Sequence, residues 1–245
     1  LHESNALPGK VTRWLSPWCS LVALGFEAAT SHLPRAKSVV VGTPVRSQFL
    51  EPAALPADLP VPDGAPLVVV IGGSQGAVAV NQLVRSAAPA WFDAGAWVIH
   101  QTGTNDAEAD SLSHAHYIHR PFFKTMAGLL HRADIVISRA GAGTLTELAF
   151  TQTPSLLIPY PFAAEDHQAY NAAAFAAANA AMVCRQADLT VESLQNTVLQ
   201  LINDPQRRHQ MAQAAAALSI PNSAAQLATI VNRAIAADAD LPLAE

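Results

Sequence analysis

From residue 67 onward the chain alternates short apolar runs with Ala-rich stretches of helical length. The runs are Leu67–Ile71, Ala96–His100, His116–His119, Asp134–Ser138, Ser155–Ile158 and Ala181–Cys184. None shows the polar alternation of a half-exposed strand, so they read as strands buried on both faces. Strand–helix alternation of this kind predicts an α/β fold with a parallel sheet and right-handed crossovers. Residues 1–50 read as a loop, a helix over Pro8–Ser16 stopped by Pro17, and two short strands, Leu21–Leu24 and Ser38–Val41. The tail from Val191 to Ala237 reads as three helices. Pro205 and Pro221 fall near helix starts, where a missing N–H costs nothing.

Between these regions lies EPAALPADLPVPDGAP, residues 51–66, with Pro52, Pro56, Pro60, Pro62 and Pro66. Proline at that density sustains neither a helix nor a central strand. It reads as a stiff linker and a domain boundary. The expected organisation is therefore a partial domain over 1–50, the linker over 51–66, a regular α/β unit over 67–220, and a C-terminal helix and tail over 221–245. The low-complexity stretch 172–181 reads as a packed helix with a small face, since Ala is the best helix former.

Composition narrows the class. Of 245 residues, 51% are hydrophobic and 13% charged, which excludes a disordered or fibrous chain. The formal charge of −5 argues against nucleic-acid binding driven by bulk positive charge. Cys19 and Cys184 match neither a disulfide framework nor a metal-site spacing, and suit a reducing compartment. The longest run of Val, Ile and Leu is Leu67–Ile71, far short of the roughly 20 apolar residues of a transmembrane helix. The polar opening, with His2 and Glu3, does not read as a secretory leader. LHESNALPG reads instead as a strand end, a loop and a helix start, so the chain is expected to be a fragment or truncated product.

Three strand-to-helix corners carry candidate chemistry. Gly72, Gly73, Ser74, Gln75 and Gly76 follow the strand ending at Ile71 and open a helix. Helix starts offer free N–H groups and a positive dipole end, and glycines admit a phosphate closely. The loop reads as a diphosphate cradle or as a plain tight turn, and its spacing is neither Walker nor dinucleotide-type. Arg139 to Glu147 forms a second corner. Glu147 lies about one turn inside the helix, where a carboxylate accepts both hydroxyls of a ribose or simply complements the dipole. The third corner carries Asp166, His167, Gln168 and Asn171, as sugar-pairing side chains or with Asp166 as an N-cap. Arg46 follows a strand and a Pro-fixed turn; it reads as a phosphate donor or as a surface arginine. All three corners fall on one end of a parallel sheet, and that convergence outweighs each alone.

Other features are set aside. His114, His116 and His119 lie within six residues, but His116–His119 reads as a strand, where successive side chains diverge, and no Cys or carboxylate cluster joins them, so no metal site is expected. Trp14 and Trp18 flank Pro17, which argues against a shared helical face; they read as core or interface. Arg207 and Arg208 read as a solvated helix face.

Taken together, His2-Glu3-Ser4-Asn5 with Gly9, GTPVR (42–46), GGSQG (72–76), RAGAGTLTE (139–147) and DHQAYNA (166–172) resemble the MurG-type glycosyltransferases of peptidoglycan synthesis. The resemblance covers nearly the whole chain. It implies a GT-B fold, two Rossmann-like domains facing a cleft, with residues 67 to about 220 as the donor-binding domain and residues 1–50 as the end of the acceptor-binding domain. It implies inverting transfer of N-acetylglucosamine from UDP-N-acetylglucosamine to undecaprenyl-diphosphate-linked N-acetylmuramoyl-pentapeptide, with no cofactor, at the cytoplasmic face of the plasma membrane. By the same resemblance, Ser74 and its glycine loop meet the diphosphate, Glu147 holds the ribose, and Phe123 sits at the uracil edge. Asn5, Ala142 and Gln168 contact the hexosamine, with His167 and Asn171 nearby, and Arg46 and Arg139 line the cleft.

The sequence also departs from the family. The amino-terminal GGTGGH loop and its apolar membrane-facing patch are absent from it, so the catalytic base is expected outside these residues. Thr12 and Thr43 stand where Asn is usual, and Phe123-Lys124-Thr125-Met126 replaces an acidic stretch. Two other readings remain: a UDP-N-acetylglucosamine 2-epimerase, which needs carboxylates such as Glu3, Glu165 and Asp166 around the sugar, and a non-catalytic nucleotide-sugar-binding fragment.

Overall fold

The computed structural model describes residues 1–72 and 77–239. Its larger unit is a six-stranded sheet built from β4 (Leu67–Ile71), β5 (Trp97–Gln101), β6 (Tyr117–Arg120), β7 (Ile135–Ser138), β8 (Ser155–Leu157) and β9 (Ala181–Val183). The spatial order is β6-β5-β4-β7-β8-β9, and every pairing is parallel. β4 is the central strand and is buried throughout. Each of its Val, Leu and Ile side chains contributes roughly 1.5–3 kcal/mol by leaving water, which explains a run with no polar position. Chain order reverses between β4 and β7, and the helices that follow these two paired strands cover opposite faces of the sheet, so their carboxyl ends form the switch point where sheets of this type receive ligands.

Helices cover both faces. On one face α2 (Val78–Asp93) and α6 (Val191–Asn203) pack against Val68, Val70, Ile135 and Ile137. On the other, α3 (Met126–Arg132), α4 (Ala142–Phe150) and α5 (His167–Ala177) cover Val69, Ile71, Val136 and Leu157. α7 (Pro205–Ala217) starts on an Asp204 cap with Pro205 in its first turn, as that position favours. Arg208 is not on a solvated face: its side chain is 15% exposed and donates to the carbonyl oxygens of Leu201 and Ile202 at 2.6 Å. It caps the last turn of α6, where free carbonyls and the negative dipole end draw a cation.

The smaller unit is a parallel three-stranded sheet of β1 (His2–Glu3), β2 (Val22–Leu24) and β3 (Ser38–Val40), in that order. α1 (Lys10–Leu15) continues into a 3-10 turn, Ser16–Trp18. Pro17 therefore tightens the helix rather than separating the tryptophans, whose rings meet edge to face at 5.9 Å. Neither is core: Trp14 is 69% and Trp18 73% exposed.

Residues 51–66 contain no helix or strand and run across α3. Asp58 pairs with Arg120 at 2.7 Å, and Arg132 donates to the carbonyl oxygens of Pro62 and Ala65. Gly128 of α3 makes room for this passage, because a Cβ there would collide with the Ala54 carbonyl oxygen. After α7 the chain returns to the smaller sheet. Ile220 packs on Gly42, which has φ +76°, and Ser223 at the start of α8 (Ser223–Ala239) donates to the Thr43 carbonyl oxygen.

Candidate functional site

Among the described residues the crevice at the switch point is bounded by the loops after β7 and β8 and by the segments that follow β1 and β3 of the smaller sheet. Gly72 closes β4; Gly73, Ser74, Gln75 and Gly76 lie outside the described residues. The loop after β7 begins at Arg139. Its guanidinium donates to the carbonyl oxygens of Ile158 and Pro159 and to Gln186 Oε1 at 2.6 Å, and lies 5.4 Å from the Tyr160 ring centre. Burial pulls its pKa down, against the opposing effect of Tyr160. Gly141 then caps α4 in an extended conformation, and Ala142 is its first, buried residue.

Gln168 ties two corners together. Its Oε1 accepts from the backbone N–H of Ala140 at 3.2 Å and of Tyr160 at 3.0 Å. Asn171, one turn on, is fully buried. Its Oδ1 accepts from the Ala6 N–H at 2.7 Å, and its Nδ2 donates to Asn5 Oδ1 and to the Ala140 carbonyl oxygen. Both of its amide protons are thus committed, and it binds the smaller unit to the larger one. Asn5 in turn donates to Glu3, whose Oε1 also takes the Asn5 N–H and whose Oε2 takes the Gly9 N–H. Burial alone would raise the Glu3 pKa, but these hydrogen bonds, with one from Thr12, outweigh it and hold Glu3 ionised.

Across the cleft, Arg46 reaches Glu147 at 2.8 Å; its side chain is 62% exposed and that of Glu147 19%. Arg46 also lies over the Phe49 ring, 4.9 Å from its centre. The pair is partly solvated, so its own contribution to stability is small, on the order of 1 kcal/mol or less. What it does is bring the GTPVR segment to the second turn of α4.

The corner before α5 is strained. Glu165 and Asp166 have φ of +51° and +57°, the left-handed region that costs a non-glycine residue roughly 1–3 kcal/mol. Two ion pairs hold it: Arg13 donates to both oxygens of Glu165 at 2.6 and 2.7 Å, and Arg185 to Asp166 Oδ2 at 2.7 Å. The Arg13 hydrogen bond draws the Glu165 pKa down. Asp166 occupies the N-cap position of α5 but makes no side-chain cap hydrogen bond. His167 Nδ1 faces the Ala164 carbonyl oxygen at 2.9 Å, which requires a proton on Nδ1. A cavity of about 470 Å³ lies between α1 and this corner, lined among others by Asn5, Thr12, Glu165 and His167.

Phe123 is buried, 3% exposed, and its N–H donates to Gln101 Oε1 at 3.0 Å. His114 stacks on Phe92, His116 on Trp97 and His119 on Tyr117. Among the described residues no group of three His, Cys, Asp or Glu side chains is placed to hold a metal. The structure thus gathers Asn5, Asn171, Ala140, Gln168 and Tyr160 into one hydrogen-bonded set, and pairs Arg46 with Glu147. The sequence reading missed the Arg13–Glu165 bridge and the Arg139–Gln186 contact. Their partners lie 152 and 47 residues apart, and no local spacing signals them.

Strand order, switch point and loop chemistry define a Rossmann-like α/β protein of the GT-B kind. Residues 67–227 match the glycosyltransferase family 28 C-terminal domain, and the chain belongs to that family. It is 60% identical over 235 residues to the UDP-N-acetylglucosamine–N-acetylmuramyl-(pentapeptide) pyrophosphoryl-undecaprenol N-acetylglucosamine transferase of Nostoc punctiforme, covering 96% of this chain and 66% of that protein. The Synechocystis transferase of the same name is 55% identical over 234 residues, with 96% and 65% covered. The crystal structure of Acinetobacter baumannii MurG superposes with a TM-score of 0.78 at 28% identity, over 95% of this chain and 65% of that one. The chain therefore spans about two thirds of the length of the relatives it matches.

Proposed function

We propose that this chain carries the donor site and part of the acceptor-facing wall of an N-acetylglucosaminyltransferase. The donor is UDP-N-acetylglucosamine, and the acceptor is the undecaprenyl-diphosphate-linked N-acetylmuramoyl-pentapeptide named for the relatives. The observation that carries this reading is the convergence of Glu147 with Arg46, and of Gln168 with Asn171 and its partner Asn5 around Ala140, on the carboxyl edge of one doubly wound sheet.

In this reading the acceptor hydroxyl attacks the anomeric carbon from the face opposite UDP. The bond from that carbon to the diphosphate oxygen breaks, UDP leaves with the electron pair, and configuration inverts. Charge growing on the diphosphate meets the Gly72–Gly76 loop with Ser74, the start of α2, and Arg46. Glu147 takes the ribose hydroxyls, with Arg46 orienting its carboxylate. Gln168 offers its amino group to the hexosamine, because its oxygen is already committed. Asn5, Ala142 and His167 border the sugar, Phe123 supports the uracil edge, and Arg139 lines the cleft. Asn171 acts through Asn5. No residue of this chain is assigned as the base that takes the hydroxyl proton.

The lipid-linked acceptor implies work at the cytoplasmic face of the plasma membrane by peripheral contact. No helix among the described residues is long and apolar enough to cross a membrane. The carboxylates that an epimerase would need are engaged: Glu3 by backbone N–H groups, Glu165 by Arg13 and Asp166 by Arg185. That favours transfer over epimerisation. The test is calorimetric titration of UDP-N-acetylglucosamine into the chain, followed by incubation of the labelled sugar nucleotide with the chain and the lipid-linked acceptor. Saturable binding without formation of N-acetylmannosamine supports the reading; absence of binding refutes it, and release of N-acetylmannosamine replaces it with the epimerase.

A further inference from the structure

Behind the crevice lies a buried polar cluster that the proposed reaction does not use. It joins Asn81 and Arg85 of α2, His100 of β5, Asp106 in the loop after β5, and Tyr117 of β6. Asn81 and His100 are fully buried, and Arg85, Asp106 and Tyr117 are each less than a tenth exposed. Asn81 Nδ2 donates to the Thr102 carbonyl oxygen at 2.9 Å and to Asp106 Oδ2 at 2.7 Å. Both partners are acceptors only, so the amide has one orientation and its Oδ1 faces His100 Nε2 at 3.0 Å. Nε2 must then carry the ring proton, and Nδ1 accepts from the Tyr117 hydroxyl at 2.8 Å. Asp106 is completed by Arg85 at 2.7 and 3.2 Å and by the Glu108 N–H at 3.1 Å.

Every polar atom of Asn81 and His100 is satisfied in a single arrangement, and a network of that kind fixes position. Asn81 is the fourth residue of α2, the helix that follows the GGSQG loop. Its partners are the carboxyl end of β5 and the loop leaving it. That strand end is itself tied to the neighbouring corner, because Thr102 N–H donates to the Arg120 carbonyl oxygen and Gln101 holds the Phe123 N–H. The cluster therefore sets the height and rotation of the α2 start relative to the β4 edge.

We infer that Asn81, through His100 and Asp106, is a positioning residue for the diphosphate: it touches no ligand but aims the N–H groups at the start of α2. This rests on the donor reading above. The experiment compares UDP and uridine binding to the full chain and to Asn81→Leu, by calorimetry for UDP and ligand-observed NMR for uridine. UDP affinity is expected to fall about tenfold or more, the scale on which a displaced ligand-facing element acts. Uridine affinity and far-UV circular dichroism are expected to stay unchanged. Asn81→Ser, which adds no bulk, carries the same test with a smaller loss if the leucine variant does not fold. Unchanged UDP affinity in a folded variant overturns the inference, as does an equal loss for uridine, the mark of general loosening. A parent chain that binds no UDP overturns the donor reading and this inference with it.

Discussion

Mild acid is expected to destabilise the protein through one buried histidine. Burial pulls the His100 pKa from 6.5 down to about 3, and Arg85 and His119 push in the same direction against the opposing charge of Asp106. Between those two values the unfolded chain takes up a proton that the folded chain refuses. Stability therefore falls as pH drops through this window. At about 1.4 kcal/mol per pH unit, the loss reaches about 2 kcal/mol at pH 5 and about 5 kcal/mol near pH 3. Glu3 and Asp106, whose pKa values are also lowered, have ordinary values of 4.5 and 3.8, so they add to the loss only below the range of interest. The interval from pH 7.5 to 5 thus isolates histidine. The assay is thermal and urea unfolding across that interval for the parent and for His100→Gln. The other histidines are common to both proteins and cancel. The parent should lose about 2 kcal/mol more than the variant, or roughly 4–8 °C in Tm. Parallel stability curves would refute the reasoning.

Two further perturbations follow from the packing. Gly128→Ala drives a methyl group into the Ala54 carbonyl, so the 51–66 segment must shift, with an expected cost of about 1–3 kcal/mol in urea unfolding; an unchanged midpoint would mean that this segment is not held against α3. Asn171→Ala leaves the Ala6 N–H and the Ala140 carbonyl without their partner, at roughly 1–3 kcal/mol for each buried group. Hydrogen exchange should then rise at Ala6 and around Ala140 together, and protection retained at both would contradict the clasp.

The sheet was legible because burial on both faces leaves a mark in sequence. Leu67–Ile71 has no polar residue since no side of β4 meets water. The helix start at Pro205 was legible because a first-turn proline is a local signal; the Thr190 cap that opens α6 went unread. The carboxyl ends of β4, β7 and β8 could be placed on one edge from strand–helix alternation alone. What stayed hidden depends on register between distant segments. Asn81, His100 and Asp106 meet only because α2 takes a particular rotation above β5. Arg208 reads as a surface residue until α6 ends beneath it. Asn171 reads as one more sugar-pairing amide, and only the packing of the smaller unit against α5 turns both its protons inward. Of the two readings of Trp14 and Trp18, core or interface, exposure removes the first, because bulk and apolarity alone do not say which face of α1 is covered.

The central claim is that a nucleoside diphosphate sugar lies across the β4–β7 crevice with its ribose on Glu147. Calorimetric titration of UDP into the chain and into Glu147→Ala tests it most directly. Two hydrogen bonds to a carboxylate are at stake, each worth roughly 1.5–3 kcal/mol, so affinity should drop by a factor of about one hundred or more. Equal affinity in the two proteins would contradict the account.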